Sequence, residues 1–292
     1  MPRLFVFGLG YSALTLARML RAEGWEIAGT HRSAESGEAL RAEGLTPIRF
    51  DGAAPLDPGA LDGATHLLAS IPPDTHPADS PFPDSGDPAL RHHAAQIAAL
   101  KSLTWIGYLS TTSVYGVTDG GAVDEETPCA PTSARGRRRV AAENAWRALP
   151  LSAHIFRLSG IYGPGRSIFD TIRAGRAQRI VRPGQAFNRI HVGDIAGTLR
   201  ASIARPAPGR TYNLADDLPA PSADLVAYAC SLLGVAPPPE IPFDEAVLSP
   251  MAREFWADNK RVGNARIRQE LGVRLLYPTW REGLDAIFAS GA

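Results

Sequence analysis

Phe5-Val6-Phe7-Gly8-Leu9-Gly10-Tyr11-Ser12-Ala13 decides how the rest of the chain is read. The continuous apolar run Leu4–Phe7 suits a strand buried on both faces. A G-x-G-x-x-G/A pattern follows it at once. Gly8 permits the tight turn after the strand, Gly10 lets the backbone approach a pyrophosphate, and the small Ala13 lets a helix pack close to the sheet. That helix is expected from Ser12 to Glu23, with Gly24 as its stop. Its first turn would offer N–H groups and the positive end of its dipole to phosphates. Gly8, Gly10, Tyr11, Ser12 and Ala13 are therefore the expected dinucleotide-binding residues.

The pattern continues outward as strand and helix in turn. Strands are expected at Trp25–Thr30, Pro47–Phe50, His66–Ser70, Trp105–Leu109 and Ser152–Leu158, with helices at Ser33–Glu43, Asp87/Pro88 to Leu103, and Ala134–Ala148. Asp57–Leu61 reads as a short helix or turn. Such alternation predicts an α/β fold, a doubly wound parallel sheet covered by helices, with ligands at the carboxyl ends of the strands. The rhythm breaks from Pro72 to Pro88, where Pro73, Pro77, Pro81 and Pro83 also fall, and a long loop is expected there. Beyond residue 160 the pattern loosens. A strand at Ile190–Val192, a helix at Asp194–Ala204, a strand at Tyr212–Leu214 and a helix at Ala220–Leu233 closed by Gly234 are expected. Pro237–Pro242 reads as a linker, and two helices near Val262–Leu271 and Arg281–Ala289 finish the chain. The expected division is a nucleotide-binding domain over 1–160, rejoined by 188–215, and a smaller α+β substrate lobe from 161–187 and 216–292.

Composition narrows the function classes. The chain has 292 residues, 45% of them apolar, with 30 Lys+Arg balancing 30 Asp+Glu. Zero net charge argues against a dedicated nucleic-acid binder. No apolar stretch reaches the ~18–20 residues of a membrane span, and no signal peptide is read at the start. Cys129 and Cys230 form no metal-ligand cluster and suit a reducing cytoplasm, the expected location. No metal site is expected. Only Lys101 and Lys260 among the basic residues are lysine, an Arg-for-Lys bias.

The strand ends supply further candidates. Gly29-Thr30-His31-Arg32-Ser33 lacks the acidic residue that usually accepts bonds from the ribose hydroxyls of NAD. His31 stands at that position, and Arg32 beside it can pair with a 2′-phosphate. A charge-assisted bond of ~1.5–3 kcal/mol corresponds to roughly 10–100-fold preference. NADP is thus the expected cofactor, with NAD as the other possibility. Asp51 could reach an adenine amino group, or Asp51-Gly52 could simply form a turn. Ser70 and Ile71 should flank the adenine-ribose path. Ser110-Thr111-Thr112-Ser113-Val114-Tyr115-Gly116 places hydroxyls after the fifth strand, for a substrate oxygen or for capping the local backbone.

Taken with Arg157, Gly160-Ile161-Tyr162-Gly163-Pro164-Gly165-Arg166, Arg189-Ile190-His191-Val192-Gly193-Asp194-Ile195-Ala196 and Tyr212-Asn213-Leu214-Ala215-Asp216, these motifs resemble the extended short-chain dehydrogenase/reductases of the NAD-dependent epimerase/dehydratase group over nearly the whole chain. The resemblance implies a Rossmann-type lobe binding NAD(P) and a smaller C-terminal lobe shaping the substrate pocket, with nucleotide sugars as frequent substrates. It places Thr111 at the catalytic Ser/Thr. The group's Tyr-x-x-x-Lys, followed four residues later by Glu, falls on Arg135 and Arg139 when counted back from Glu143. The chain therefore resembles the atypical branch that lacks both residues, and Asn259-Lys260-Arg261-Val262 through Tyr277-Pro278-Thr279-Trp280-Arg281-Glu282-Gly283 matches that branch too. Arginine donates to ribose hydroxyls but cannot relay a proton near neutral pH.

Arg135 and Arg139, one turn apart on one helix face, would stabilise an anionic group or oxyanion; alternatively the arginines are a solvated helix start. Proton transfer would then fall to Tyr162, Tyr115 or His191. Two functions from different classes follow: an NADP-preferring oxidoreductase, epimerase or dehydratase of a polar metabolite, or a non-catalytic NAD(P)-binding sensor. The expected partner is a small, possibly anionic substrate, with a homodimer left open and neither nucleic acid nor membrane expected.

Overall fold

The strand that carries the glycine motif, β1 (Arg3–Phe7), lies inside a seven-stranded parallel sheet. Its order is β11-β7-β5-β4-β1-β2-β3, with β2 (Glu26–His31), β3 (Thr46–Arg49), β4 (His66–Ala69), β5 (Trp105–Thr111), β7 (His154–Leu158) and β11 (Thr211–Leu214). The order runs one way from β1 through β2 and the other way through β4, which is the doubly wound arrangement the alternation predicts. The computed structural model describes residues 1–74, 86–116 and 118–291.

Leu4 through Phe7 are 0% exposed, because neighbouring strands flank β1 and side chains cover both faces. Burial of each such side chain contributes about 1.5–3 kcal/mol. Helices α1 (Tyr11–Ala22), α2 (Ala34–Ala42), α3 (Pro88–Ala99), α4 (Ala134–Arg147) and α6 (Val192–Ala204) connect these strands. Ser33 caps α2 by accepting from Ser36 N–H. Asp87 caps α3 through Ala89 and Leu90 N–H, with Pro88 in the first turn, as the Asp-Pro pair predicts. The expected helix to Leu103 stops earlier: Leu100 turns extended, and the Ser102 hydroxyl donates to Ala64 O at 2.7 Å. Of the expected Pro72–Pro88 loop, residues 75–85 lie outside the described residues. Asp74 N–H donates to Gly86 O at 2.9 Å.

The chain forms two compact units. One comprises Met1–Val114, Ala134–Arg157 and Ile195–Tyr212; the other comprises Tyr115–Ser133, Leu158–Asp194 and Asn213–Ala292. The second unit is built from small parallel pairs: β6 (Ala122–Val123) with β13 (Arg261–Val262), β8 (Gly160–Tyr162) with β10 (Arg189–His191), and β9 (Arg179–Val181) with β12 (Glu240–Pro242). Helices α5 (Ile168–Arg173), α7 (Ser222–Leu233), α8 (Pro250–Ala257), α9 (Ala265–Leu271) and α10 (Trp280–Ala289) complete it. Pro237–Pro242 is thus not a linker throughout: its last three residues are β12. The helix expected from Val262 starts at Ala265, because Arg261 and Val262 pair with β6. Gly234 closes α7 in the left-handed region at φ 68°, as expected of a glycine stop. Lys260, 3% exposed, forms an ion pair with Asp258, and burial lowers the ammonium's affinity for its proton.

Candidate functional site

Gly8 turns the chain out of β1 with φ +88°, a conformation that favours glycine. Its N–H donates to Thr30 Oγ1 at 2.7 Å, and Leu9 N–H donates to Thr30 O at 2.9 Å, fixing the turn against β2. A Cβ at Gly8 would lie 2.9 Å from Ile71 Cγ1, so the loops after β1 and β4 touch. At Gly10, the N-cap of α1, a Cβ would meet nothing within 4 Å among the described residues. Gly10 has no side chain with which to cap that helix end. Open space in front of a glycine, beside an uncapped helix N-terminus, is what a pyrophosphate requires. Ser12 and Ala13 are buried behind it, while Tyr11 is half-buried. The residues present therefore fit a dinucleotide.

The end of β2 places His31 half-buried, with its ring against Gly37; its Nδ1 lies 2.8 Å from Ser33 O and donates to it. Arg32 next to it is exposed. Ser70 and Ile71 are half-buried after β4, where Ser70 N–H donates to Phe7 O at 2.8 Å. These residues and the glycine loop gather at the carboxyl ends of adjacent strands. Asp51 is exposed, and its Oδ1 accepts from Ala53 N–H at 3.0 Å, so at least one carboxylate oxygen serves a turn. Thr111 ends β5 and also serves a local turn: its Oγ1 accepts from Ser113 N–H at 3.3 Å and lies 3.1 Å from Ser113 Oγ.

The two arginines of α4 do not share one environment. Arg135 is exposed in the first turn, whereas Arg139 is 9% exposed one turn later. The Arg139 Nη1 donates to Leu109 O at 2.8 Å and Tyr108 Oη at 3.0 Å. The same helix face buries Glu143, which lies 0% exposed. Its Oε1 accepts from Ser110 Oγ at 2.6 Å and Arg157 Nε at 3.1 Å. Its Oε2 accepts from Arg157 Nη2 at 2.8 Å and Arg147 Nη2 at 3.2 Å. This network holds the residue before Thr111 and was missed as a unit in the sequence. Two signals could have found it. Gly136, Arg139, Glu143 and Trp146 repeat at helical spacing, and an arginine inside the strand Ser152–Leu158 needs a partner.

The remaining proton-transfer candidates lie in the second unit. Tyr115 is 2% exposed and donates to Asn213 Oδ1 at 2.7 Å. His191 is packed between Tyr162, 5.2 Å away, and Tyr277, 4.0 Å away, centroid to centroid. Its Nδ1 accepts from Gly193 N–H at 3.1 Å, which puts the proton of the neutral ring on Nε2. Burial lowers its pKa to about 4, so the ring is neutral at pH 7. The Tyr162 hydroxyl is buried without a hydrogen-bond partner among the described residues. A Cβ at Gly283 would lie 2.0 Å from it, so only glycine fits there on α10. Burial, then Asp216 and Asp194, raise the Tyr162 pKa above its ordinary value and keep the phenol protonated. Asp216, 2% exposed, accepts from Leu218 N–H at 3.3 Å through Oδ1 and lies near the Arg189 charge and the Trp280 backbone N–H, while Oδ2 makes no hydrogen bond of full geometry among the described residues. Burial pushes its carboxyl up to about 7.

The chain resembles known proteins over nearly its whole length. Protein YeeZ of Escherichia coli is 30% identical, over 95% of this chain and 97% of its own. The chain belongs to the NAD(P)-binding epimerase/dehydratase superfamily. A conserved protein of unknown function from Silicibacter pomeroyi is 51% identical with a TM-score of 0.91, covering 99% of both chains. A Methylobacillus flagellatus protein of the NAD-dependent epimerase/dehydratase type is 27% identical with a TM-score of 0.72, over 99% of this chain and 98% of its own. No family model matches the sequence.

Proposed function

We propose that the protein is an NADP-preferring oxidoreductase, epimerase or dehydratase acting on a polar metabolite. The observation that carries this reading is the open cradle at Gly10 combined with a solvent-facing arginine, Arg32, where the ribose-binding acid is missing. Bound there, the dinucleotide supplies a hydride donor or acceptor. Gly8, Gly10, Ser12 and Ala13 admit its pyrophosphate, Arg32 pairs with the 2′-phosphate, and Ser70 and Ile71 flank the adenosine. The Thr111 hydroxyl donates to a substrate oxygen. Arg139 positions the end of β5 through Leu109 O, and Arg135 meets an anionic substrate group. Tyr162, held protonated by burial and its acidic neighbours, would donate a hydrogen bond to a substrate oxygen rather than give up its proton, because a raised pKa makes it a weak acid.

Fluorescence titration of NADPH and NADH tests the reading. NADPH is expected to bind roughly 10–100-fold tighter, and Arg32→Ala should remove most of that difference. Equal affinities, unchanged by Arg32→Ala, would overturn the NADP preference. One observation favours a second reading, a non-catalytic NAD(P) sensor: Arg139, at the position of the family's lysine, donates to two groups of its own unit. Tight NADPH binding without hydride transfer to any member of a metabolite panel would select the sensor.

A further inference from the structure

A cavity of about 290 Å³ lies within the second unit, walled by Tyr162, Phe187, Phe255 and Trp256 and carrying Arg166 and Arg189. Its volume sits at the floor of the ~300–1,000 Å³ typical of small-molecule sites, which suits a one-ring metabolite. Phe187 and Phe255 stack face to face, with centroids 4.9 Å apart and an interplanar angle of 3°, and Trp256 meets Phe187 edge-on at 4.9 Å. Phe255 is nevertheless 55% exposed, so its ring offers a flat apolar face to an incoming group.

The charge of the lining has one sign. Arg166 and Arg189 line the cavity, and among the described residues no aspartate or glutamate does. Arg189 is 8% exposed, with Nη1 donating to Phe187 O at 3.0 Å and Ala220 O at 3.2 Å. Asp216 and Asp224 offset part of its charge, and it still holds a cation where little water reaches, a setting that favours an anion. Two polar groups of the lining, Asn188 and Ser167, are already committed. The Asn188 amide donates to Lys260 O at 2.9 Å, and its carbonyl accepts from Val262 N–H at 2.9 Å. The Ser167 hydroxyl is 3.2 Å from Asp170 Oδ2, to which it donates. The Tyr162 hydroxyl of the lining lacks a hydrogen-bond partner among the described residues, so a polyol would meet one open group beside these committed ones, and each buried hydroxyl left unpaired is costly.

We infer that this cavity takes a planar aromatic carboxylate, its ring against Phe255 and its carboxylate toward Arg166 and Arg189. The inference names a substrate class for the activity proposed above and rests on that reading.

Calorimetry on the whole protein tests it, with benzoate, cinnamate and indole-3-acetate as probes, each beside its neutral primary amide, and UDP-glucose alongside. At least one carboxylate should bind in the sub-millimolar range and its amide roughly tenfold or more weaker. Arg166→Ala should weaken that carboxylate roughly tenfold and leave the amide unchanged, with Arg166→Lys intermediate. Phe255→Ala, at an exposed ring, should weaken both. No carboxylate binding at about 5 mM, equal binding of acid and amide, or UDP-glucose binding that Arg166→Ala or Phe255→Ala abolishes would each overturn the inference. NADPH titration of the same preparation separates the two readings. NADPH bound without any carboxylate breaks the cavity assignment alone. A carboxylate bound with Arg166 dependence but no NADPH breaks the proposed activity alone and leaves the cavity assignment in place.

Discussion

Glu143 in one unit and Asp216 in the other are equally sealed from water, yet their surroundings differ. Glu143 accepts from Ser110, Arg147 and Arg157, so both oxygens are satisfied. Among the described residues Asp216 Oδ2 makes no hydrogen bond of full geometry, and neither do the Tyr162 hydroxyl and the Trp280 indole nitrogen of the same unit. A satisfied buried charge specifies a fold, because only one arrangement supplies all its partners. An unsatisfied one keeps a free-energy cost that a proton, a water molecule or a ligand can relieve. Among the described residues both units hold buried atoms without partners, Arg138 Nε in the first and Tyr162, Asp216 and Trp280 atoms in the second; those of the second include an acid and a phenol.

The sharpest way to break this contrast is Glu143→Ala. Removing the acceptor leaves Arg157 charged in a buried strand, and the expected loss is about 3–5 kcal/mol of stability, read from urea unfolding. A loss below about 1 kcal/mol, the scale of an exposed pair, would mean that the network is not structural. Gly10→Val addresses the cradle itself. The added side chain enters open space, so the fold should survive by circular dichroism while NADPH binding falls roughly 100-fold, equivalent to about 2.7 kcal/mol. Normal binding by the folded variant would place the dinucleotide elsewhere.

Asp216→Asn sharpens the other side of the comparison through pH. The folded carboxyl is raised to about 7 from its ordinary 3.8, so the folded state holds a proton that the unfolded state releases between those values. Its contribution to stability is therefore full below pH 4 and is lost as the pH rises through 7. The amide removes the cost of ionisation while keeping an oxygen for Leu218 N–H. The variant should gain about 1–3 kcal/mol relative to wild type between pH 5 and pH 8. His191 runs oppositely: lowered to about 4, it favours the folded state above pH 6.5, and that advantage is lost as the pH falls toward 4. Urea midpoints at pH 5 and 8 for both proteins measure the difference, and parallel shifts would show that Asp216 titrates normally.

The legibility of the sequence follows the same division. Where elements are long and joined locally, as from β1 to α4, apolar runs and glycine stops marked them, and the cradle was readable because its glycines carry backbone demands. Of the short pairs of the second unit, β10 was readable at Ile190–Val192 and the other strands were not. β12 has three residues ending in proline and pairs with β9, far away in sequence, so no local periodicity announces it. Helix α3 lost its expected last turn to a tertiary bond from Ser102. Arg135 and Arg139 looked alike in a run of arginines, and only the fold separates the exposed one from the buried one.

The fate of the two lysines has a practical consequence for labelling. Lys260 is closed off in its pair with Asp258, while Lys101 stands in the exposed turn after α3. Among side-chain amines, a succinimidyl dye or an amine-directed surface coupling should therefore choose Lys101. A single fluorophore placed there, in the turn after α3, reports on the sheet-bearing unit. Should Lys260 become reactive under mild urea, its modification would mark the opening of the second unit.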